Sequence, residues 1–331
     1  MKKILVGVSG GIDSLASVLY FKNLDYKVFP YFLILTEKNL FEKNKVEEIY
    51  KNIGFRLIFE DKRKFFKETI IDYFIKTYRE GKTPNPCALC NRLVKFPLFL
   101  SKAKDLGIEK FSTGHYIRVE DGFLYKGKDK RKDQSYYVST VKMEHLKFFE
   151  NSITSFSTKD EVKKFVSGYG IKFFEKESQD ICFIKDDYVS FLKENNFSDQ
   201  EGEMVDEKGK VLKKHSGYFK FTIGQNVKIG GMDEKLFVKK IIPQENRIVV
   251  CKREGLKVKE FFIYPIEKFS VEESDLKVKI RYRNEEVDCS IEKQRNLVKV
   301  KTKDYIYGVT PGQISVLYNE DKVVLSGVIQ K

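Results

Sequence analysis

The sequence predicts an α/β N-terminal domain built around a parallel sheet, a small β-rich central domain and a C-terminal β-barrel. Up to about residue 195, short apolar runs alternate with helical patterns, which is typical of β-α-β units. Downstream, strand-like alternation is interrupted by turn residues roughly every ten positions, which indicates antiparallel sheets. The length of 331 residues suits two or three domains, and we expect them at residues 1–195, 196–255 and 256–331.

The N-terminal elements follow from hydrophobic periodicity. Residues 4–8 form an apolar strand, and Leu15, Val18 and Leu19 then recur at helical spacing in a helix at residues 13–23. The next predicted elements are a strand at 28–35, a helix at 43–52, a strand at 56–59 and a helix at 64–79 that ends near Gly81. Residues 83–86 contain two prolines and are not expected to form regular structure.

The C-terminal half carries shorter strand signals. Residues 203–212 bracket Asp206-Glu207-Lys208-Gly209, a hairpin loop in which the glycine is available for positive φ. Alternating apolar and polar residues predict further strands at 218–223, 276–283, 297–301, 314–317 and 323–329. Such a series of short strands favours a central β-rich domain followed by a β-barrel or a β-sandwich.

The charge balance indicates a polyanionic partner. The chain has 62 Lys and Arg against 48 Asp and Glu, a net charge of +14, which favours nucleic acid over a membrane surface. The alternative is a Lys-rich solvated surface. The longest apolar run, residues 28–35, is too short to span a bilayer, and five unevenly spaced cysteines do not suit a secreted disulfide scaffold. We therefore expect a cytoplasmic protein that does not act at a membrane.

The loop after the first predicted strand has the features of a phosphate-binding turn. Ser9-Gly10-Gly11-Ile12-Asp13-Ser14 joins a strand to a helix, so that backbone amides and the helix N-terminus can approach an anion. Asp13 is a candidate Mg²⁺ ligand, and the alternative is an ordinary tight turn capped by Asp13 or Ser14. Because no lysine follows the second glycine, this is not the loop of P-loop NTPases.

Three cysteines form the second candidate site. Cys87 and Cys90 are spaced C-x-x-C before a helical pattern that starts near Arg92, and Cys182 lies far away in the sequence. The helix dipole, Arg92 and Lys95 are expected to lower the pKa of the thiols. Two thiols that meet could transfer sulfur through a persulfide and a disulfide. The alternatives are three unreactive buried cysteines or a zinc or iron–sulfur site with three thiolate ligands.

The motifs resemble those of known enzymes. Ser9 to Ser14 resembles the SGGxDS pyrophosphate loop of ATP pyrophosphatases, which adenylate an oxygen of their substrate. The whole set, which follows the family's order over nearly the whole chain, is similar to the tRNA-specific 2-thiouridylase family. It comprises residues 7–14, residues 81–86, Cys90-Asn91, Lys95-Phe96, Thr113-Gly114-His115-Tyr116, Lys132-Asp133-Gln134-Ser135-Tyr136, Ser178-Gln179-Asp180-Ile181-Cys182-Phe183, Thr222-Ile223-Gly224-Gln225 and Val309-Thr310-Pro311-Gly312-Gln313.

The resemblance implies a role for each matching residue, and an N-terminal ATP-pyrophosphatase domain of the adenine nucleotide alpha-hydrolase-like fold. ATP would be bound by Gly7, Val8, Ser9, Gly10, Gly11, Ile12, Asp13, Ser14, Leu33 and Gly114. The tRNA would be contacted by Asn85, Pro86, Cys87, Lys132, Asp133, Gln134, Arg281 and Tyr282. Cys182 would carry a persulfide, and Cys90 would be the other catalytic cysteine.

The implied reaction is the 2-thiolation of the wobble uridine of tRNA. ATP would adenylate the 2-oxygen, sulfur from Cys182 would displace AMP, and Cys90 would release the sulfur through a transient Cys90–Cys182 disulfide. The sulfur donor would be a cysteine desulfurase, a sulfur-relay protein or sulfide. The rival enzymes are other ATP pyrophosphatases, such as a tRNA lysidine synthetase or an amidotransferase-type ligase, and a non-enzymatic RNA-binding module would leave the phosphate loop idle.

The sequence departs from the family pattern in three places. They are Cys87, the residues Asn226-Val227-Lys228-Ile229 after the Thr222-Ile223-Gly224-Gln225 motif, and a shortened segment after the second predicted strand. Many members have an aspartate, proposed as a general acid or base, three residues before the first catalytic cysteine, whereas this chain has Cys87. A thiol does not simply replace a carboxylate in proton transfer. The change also creates the C-x-x-C pair, so that a [4Fe-4S] cluster held by Cys87, Cys90 and Cys182 is an alternative to the persulfide.

Other residues are weaker candidates. The basic run at residues 126–132 is either a solvated loop or a phosphate-contact loop. Arg281-Tyr282-Arg283, on a predicted strand, could combine backbone contact with base stacking, or lie at a solvent-facing edge. His115 could touch ATP or have a structural role. Cys251 and Cys289 are most simply small buried residues.

Overall fold

The computed structural model describes residues 1–171, 181–230, 234–270 and 274–330. The chain divides into two compact units, each drawn from several segments. The first unit comprises Met1–Ile70, Cys87–Phe183 and Asp321–Val323, and the second comprises Ile71–Pro86, Ile184–Glu320 and Val324–Lys331. No helix in these described ranges is both long and apolar enough to cross a membrane.

The N-terminal half alternates helices and strands. Its elements are β1 (Lys3–Val8), α1 (Ile12–Asn23), β2 (Lys27–Ile34), α2 (Glu37–Asn52), β3 (Ile58–Asp61), α3 (Arg63–Phe66), α4 (Asp72–Arg79), α5 (Pro86–Cys90), α6 (Phe96–Asp105), β4 (Lys110–Thr113), β5 (Ile117–Glu120), β6 (Phe123–Lys126), α7 (Ser135–Val138), α8 (Met143–Leu146) and α9 (Lys159–Ser167). Two π-helical turns, Lys67–Ile71 and Asn91–Lys95, join α3 to α4 and α5 to α6.

The C-terminal half is dominated by strands. Its elements are α10 (Tyr188–Glu194), β7 (Gly202–Val205), β8 (Val211–His215), β9 (Asn226–Val227), β10 (Leu236–Ile242), β11 (Arg247–Cys251), β12 (Lys257–Lys268), β13 (Leu276–Lys279), β14 (Val287–Gln294), β15 (Leu297–Tyr307), β16 (Ile314–Asn319) and β17 (Lys322–Ile329).

A parallel sheet with the order β3-β2-β1-β4 lies at the centre of the first unit. Gly7 of β1 is in register with Tyr31 of β2 on one side and with Thr113 of β4 on the other. The chain thus leaves β1 towards one side of the sheet and returns on the opposite side. Such a reversal opens a crevice at the carboxyl ends of the two strands, where α/β proteins bind ligands.

The core of the first unit explains the apolar runs in its sequence. Residues Ile4, Leu5 and Val6 of β1 are completely buried, as expected for a parallel strand covered on both faces. Helices α1 and α9 pack together on this sheet, and Leu15, Leu19 and Val162 contribute to the same apolar cluster. The predicted α/β domain with a parallel sheet is confirmed.

The second unit contains two β structures with separate cores. The central sheet has the order β8-β7-β11-β10-β9 around residues such as Val238 and Ile248. Six further strands follow in the order β12-β15-β14-β13-β16-β17, and β12 also pairs with β17, so that they close into a barrel around residues such as Val300 and Leu317. The β-rich central domain and the C-terminal barrel are therefore confirmed, whereas the boundaries at residues 195 and 255 stay a prediction.

Several predicted helix boundaries are wrong, for local reasons. Helix α2 begins at Glu37 rather than residue 43 because the Thr36 hydroxyl caps it by accepting the Asn39 amide at 3.2 Å. The helix that carries the cysteines begins at Pro86 rather than near Arg92, since proline suits the first helical position, where no amide is needed.

Two predicted strands also differ from the structure. Residues 218–223 were expected to be a strand, but Tyr218–Lys220 forms a 3₁₀ turn, in which the Phe221 amide donates to the Tyr218 carbonyl at 3.1 Å. The strand predicted at residues 276–283 ends at Lys279, and Arg281 to Arg283 follow in a bend and turn. The hairpin at residues 203–212 is confirmed, with Gly209 at φ +86° between β7 and β8.

Candidate active site

The loop after β1 forms an open cradle of backbone amides. Gly10 has φ +81°, and Gly11 precedes α1 in an extended conformation without any side-chain cap. The Ser14 hydroxyl accepts the Ser9 amide at 3.2 Å and donates to the Gly11 carbonyl at 2.9 Å. The loop is therefore closed by its own serines, while the first amides of α1 stay available for an anion.

A close approach of two backbones supports this cradle. A Cβ atom on Gly114, which follows β4, would lie 2.7 Å from the Ser14 nitrogen and 2.8 Å from the Asp13 carbonyl carbon. Only glycine allows this contact without a backbone shift. Leu33 lies near the carboxyl end of β2 and is buried. All predicted ATP residues thus lie at or beside the carboxyl ends of β1, β2 and β4.

Asp13 is held by an ion pair that the sequence did not reveal. The Lys159 ammonium lies 2.5 and 2.6 Å from the two carboxylate oxygens of Asp13, and the Tyr116 hydroxyl donates to one of them at 2.7 Å. Lys159 is itself buried at the start of α9, whose cap is Thr158. The absence of a lysine in the loop was the available signal that a cation must come from elsewhere in the chain.

The Mg²⁺ role expected for Asp13 stays a prediction. Its carboxylate is neutralised by Lys159 in this structure. Among the residues the structure describes, no group of three or more His, Cys, Asp or Glu side chains is arranged to hold a metal ion. The described residues include Cys87, Cys90 and Cys182, the candidate iron–sulfur ligands, and the structure does not arrange these three cysteines as a metal site.

Two residues expected at the tRNA support Tyr116 and its neighbours instead. The Gln134 side-chain oxygen accepts the Tyr116 amide at 3.0 Å, and the Gln134 amide donates to the Tyr116 carbonyl at 2.9 Å. The buried Asp133 carboxylate accepts the Gly127 amide at 2.9 Å and the Ser135 hydroxyl at 2.8 Å. These side chains face the protein itself, and a tRNA contact by them or by Lys132 stays a prediction.

The cysteine pair lies on one continuous helical run. Cys87 is half-buried and Cys90 is buried on α5, whereas Cys182 is exposed at a turn. The Thr140 hydroxyl anchors α5 by donating to the Ala88 carbonyl at 2.8 Å. Ser178, Gln179 and Asp180, which belong to the motif around Cys182, lie outside the described residues.

The expected lowering of the thiol pKa values is wrong. Burial raises the pKa of Cys87 to about 11 and that of Cys90 to about 12. Desolvation also raises the pKa of the Cys182 thiol, although Cys182 as a whole residue is exposed. Cys90 lies beyond the first helical turn, where the dipole has little effect. The Arg92 guanidinium donates to the Thr140 carbonyl. Lys95 counteracts burial at all three thiols, and Lys38 acts in addition on Cys182.

Lys95 reaches the cysteines because of the π-helical turn. In an α-helix, residues five apart point about 140° away from each other, whereas the i to i+5 bonding of a π-turn aligns them. Cys90 and Lys95 are five apart, and the turn Asn91–Lys95 lies between them. Burial disfavours the Lys95 charge, but Cys90, Cys182 and Cys87 together raise its pKa. In the described part of the chain, no carboxylate pairs with Lys95.

His115 lies beside the same cation. Its pKa is lowered to about 3 by burial and by Lys95, so the ring is neutral at physiological pH. Its Nδ1 lies 2.7 Å from the Thr113 hydroxyl, and its ring packs against Phe96. This geometry favours the structural role of His115 over a contact with ATP.

The remaining tRNA candidates lie in the second unit. The Arg281 guanidinium donates to the Ile223 carbonyl at 2.8 Å, the Gly308 carbonyl at 3.0 Å and the Thr310 hydroxyl at 2.6 Å. Arg281 thus ties the Thr222-Ile223-Gly224-Gln225 motif to the loop after β15, and Tyr282 follows it in the turn. Their contact with tRNA stays a prediction.

The Pro-rich segment is tied to the C-terminal motif. The Gln313 amide donates to the Pro84 carbonyl at 2.9 Å, and the Thr83 amide donates to the Pro311 carbonyl at 3.0 Å. A Cβ on Gly312 would lie 2.8 Å from the Thr83 oxygen. These bonds position the segment that leads into buried Asn85 and Pro86.

Three domain families match successive parts of the chain. Residues 2–186 match the family described as tRNA methyl transferase HUP domain. Residues 189–252 match the tRNA methyl transferase PRC-barrel domain, and residues 253–329 match the aminomethyltransferase beta-barrel domain.

Curated relatives match over the full length. The chain is 40% identical to the tRNA-specific 2-thiouridylase MnmA of Campylobacter jejuni subsp. jejuni serotype O:6 (strain 81116 / NCTC 11828), covering 99% of this chain and 100% of that protein. It is 39% identical to the protein of the same name from Campylobacter lari (strain RM2100 / D67 / ATCC BAA-1060), over 99% of each chain. It is also 36% identical to MnmA 1 of Aliarcobacter butzleri (strain RM4018), over 99% of this chain and 98% of that one.

A solved structure shows weaker similarity. It is the crystal structure of a predicted subunit of tRNA methyltransferase from Methanocaldococcus jannaschii DSM, with a TM-score of 0.33 and 16% identity over 59% of this chain and 86% of that chain. This similarity is too weak to support a conclusion about the fold or the function of the chain.

The substitution Gly114→Ala is expected to weaken ATP binding about tenfold or more, because the added methyl must displace the backbone of Asp13 and Ser14. Titration calorimetry with ATP measures the effect, and circular dichroism verifies folding. Gly230→Ala is the matched control, since its Cβ would meet no atom of the described residues within 4 Å. Equal affinities for the two variants would contradict the proposed cradle.

Lys159→Met is expected to weaken ATP binding by about ten- to a hundredfold, because it removes a charged hydrogen-bond donor beside the phosphate loop. Lys163→Met, on the exposed side of the same helix, serves as the control. Unchanged ATP affinity in the Lys159 variant would show that Lys159 does not contribute to ATP binding and only holds Asp13 in place.

Alkylation at pH 8 is expected to modify Cys182 first and Cys90 last. Cys182 is exposed, whereas Cys90 is buried and its pKa of about 12 leaves little thiolate. Peptide mass spectrometry after timed iodoacetamide treatment gives the order, with buried Cys251 as an internal reference. Faster modification of Cys90 than of Cys182 would refute this description of the thiols.

Proposed function

Because the chain belongs to the tRNA-specific 2-thiouridylase family, we propose that it is an ATP-dependent tRNA-uridine 2-sulfurtransferase acting on the wobble uridine. The observation that carries this proposal lies in one unit. An amide cradle suited to a polyphosphate and three cysteines that all interact with Lys95 belong to the same α/β unit. Nucleotide activation and sulfur chemistry are the two requirements of thiolation.

The first half-reaction activates the uridine. The backbone amides of the loop after β1 hold the phosphates of ATP, and Lys159 supplies the cation that the loop itself lacks. The 2-oxygen of the uridine attacks the α-phosphate and pyrophosphate leaves. When bound, Mg²⁺ would share the phosphate charge, and Asp13 is its candidate ligand.

The second half-reaction transfers sulfur. The terminal sulfur of a Cys182 persulfide attacks C2 of the adenylated uridine, and AMP leaves with the former 2-oxygen. The Cys90 thiolate then attacks the Cys182 sulfur, so that the sulfur–sulfur bond of the persulfide breaks and a Cys90–Cys182 disulfide forms. With a cysteine desulfurase or a relay protein as donor, a two-electron reductant opens this disulfide, and the persulfide of the donor then transfers its outer sulfur to Cys182. With sulfide as donor, sulfide attacks the Cys182 sulfur of the disulfide, which forms the Cys182 persulfide and releases the Cys90 thiolate without a separate reductant.

Lys95 stabilises the anionic sulfur species in this scheme. Its ammonium interacts with all three thiols. In a desolvated site, the electrostatic attraction between this ammonium and an anionic sulfur is stronger than it would be in water. Cys87 occupies the position at which many members of the family have an aspartate. Since its pKa is about 11, the thiol is protonated at pH 7 and is a proton donor rather than a base.

The charge of the chain supports a tRNA substrate. Lys128, Lys130 and Arg131 are exposed in the basic run between β6 and α7. Asp129 partly neutralises Arg131, since the two side chains lie 3.4 Å apart. The chain as a whole still has a net charge of +14, which favours binding of a polyanion. Phosphate contacts by such residues would make tRNA binding depend on salt.

The proposal is tested by single-turnover thiolation of tRNA that lacks the modification. Cys182→Ser and Cys90→Ser are expected to abolish 2-thiouridine formation while ATP–pyrophosphate exchange and tRNA affinity stay within about twofold of wild type. Cys289→Ser, in the barrel, is the control. Full thiolation by the Cys182 variant would overturn the persulfide role.

The same protein preparation distinguishes a persulfide mechanism from one that uses an iron–sulfur cluster. Protein purified anaerobically is analysed for iron and visible absorption before the thiolation assay. Full activity of colourless, iron-free protein with a persulfide donor would exclude a [4Fe-4S] cluster on Cys87, Cys90 and Cys182. Iron-dependent activity with sulfide as donor would favour it.

A further inference from the structure

An exposed group of cations and tyrosines on the barrel has no role in the scheme above. It consists of Arg253, Lys257, Lys259, Lys303, Tyr305 and Tyr307, which we call the tyrosine–lysine patch. The patch lies where β12 begins and β15 ends. Val258 and Ile306, between its members, pack into the barrel core, so the patch residues face outwards.

A bulge in β15 makes the patch protrude. Lys257 and Val258 pair with Tyr307 and Ile306, but the register resumes only at Glu260 and Lys301. Residues 302–305 therefore lie opposite the single residue Lys259. Bulges of this kind redirect side chains away from a regular sheet surface, and residues 303–305 are all exposed.

Cation–π contacts organise the patch. The ammonium groups of Lys259 and Lys257 lie 4.9 and 5.9 Å from the centre of the Tyr305 ring, and the Arg253 guanidinium lies 4.9 Å from that of Tyr307. Tyr305 is 57% exposed and Tyr307 36% exposed. Each ring holds flexible cations in place at the surface, which lowers the entropic cost of binding an anion.

The cations of the patch are not neutralised. Across the described residues, none of the four cations lies at ion-pair distance from a carboxylate. The acids adjacent to them in sequence are Glu254, Asp304 and Glu260, and Glu260 pairs with Lys299 instead. The other half of β15 differs, since Lys299 pairs with Glu260 at 2.5 Å and Lys301 with Glu292 at 3.0 Å. Lys299 and Lys301 of β15 are therefore paired with carboxylates, whereas in the described structure Lys303 on the same strand and the patch cations at the start of β12 are not.

We propose that the tyrosine–lysine patch binds the phosphate backbone of the tRNA substrate, separately from the residues of the family motifs. The inference rests on the proposed function for the identity of the RNA. Unpaired Lys and Arg bind phosphates with release of counterions, and the exposed tyrosines can stack on bases or riboses. An anionic membrane is less suited, because tyrosine faces covered by cations offer little apolar surface for insertion.

The patch acts on affinity rather than on chemistry. It is part of the barrel, whereas the phosphate cradle and the three cysteines belong to the first unit. Its loss is expected to raise KM for tRNA, with kcat retained at saturating tRNA.

The test compares two double variants with the same change in charge. Lys257→Gln/Lys259→Gln removes two patch cations, and Lys268→Gln/Lys277→Gln removes two exposed barrel lysines elsewhere. Fluorescence anisotropy gives the Kd for tRNA from about 50 to about 200 mM salt. The patch variant is expected to bind about tenfold more weakly at low salt, with a slope of log K against log salt smaller by about 2. The control is expected to match wild type.

A second pair of variants tests the tyrosine. Tyr305→Phe keeps a ring for the lysines and is expected to retain affinity, whereas Tyr305→Ala is expected to weaken tRNA binding. Thermal unfolding verifies that each variant is folded. Equal losses in the patch and control double variants, or an unchanged salt slope, would overturn the inference.

Two further outcomes separate this inference from the proposed function. Wild-type protein that neither binds nor thiolates tRNA would refute the proposed function, and the patch would lose its ligand with it. A wild type that binds and thiolates tRNA, together with an indistinguishable patch variant, would refute the patch alone. Loss of binding to phosphatidylserine vesicles in the patch variant, with unchanged tRNA affinity, would reassign the patch to membranes.

Discussion

The contact between Gly114 and the backbone of Asp13 and Ser14 is the constraint on which the nucleotide site depends. It exists because β1 pairs with β2 on one side and with β4 on the other, so that the loops after β1 and β4 meet. Tyr116, two residues beyond Gly114, then reaches Asp13, and Gln134 holds the Tyr116 backbone. A single sheet reversal thus positions a phosphate cradle, its buried lysine and the supporting loop.

The cysteine site balances desolvation of the thiols against the positive charge of Lys95. Desolvation alone would keep the thiols protonated, which opposes nucleophilic attack, and the effect is largest at buried Cys90. Lys95 counteracts this effect, and it can do so because a π-helical turn aligns it with Cys90. π-turns of this kind recur at functional sites in helices. Burial, together with the same cation, lowers the pKa of His115 and keeps its ring neutral.

Periodicity and turn chemistry were sufficient for most of the fold. The strands and helices up to residue 35, the hairpin at residues 203–212 and the late barrel strands were predictable because their hydrophobic patterns match local geometry. The beginning of α2 and of the cysteine helix were misplaced, since a threonine cap and a first-turn proline outweighed periodicity there. The prediction of a strand at residues 218–223 is wrong, because alternating apolar and polar residues do not distinguish a strand from a turn that contains aromatic residues.

The sequence by itself determined the strand–glycine–helix loop, the C-x-x-C spacing and the excess of positive charge, because each depends on residues close together or on composition. Only the tertiary structure decided the partners of these features. Lys159 lies 146 positions from Asp13, and Arg281 lies 58 positions from the Ile223 carbonyl that it holds. The unpaired cations on β12 and β15 likewise differ from their paired neighbours only through strand register. Such contacts follow from packing between distant segments, which no local pattern encodes.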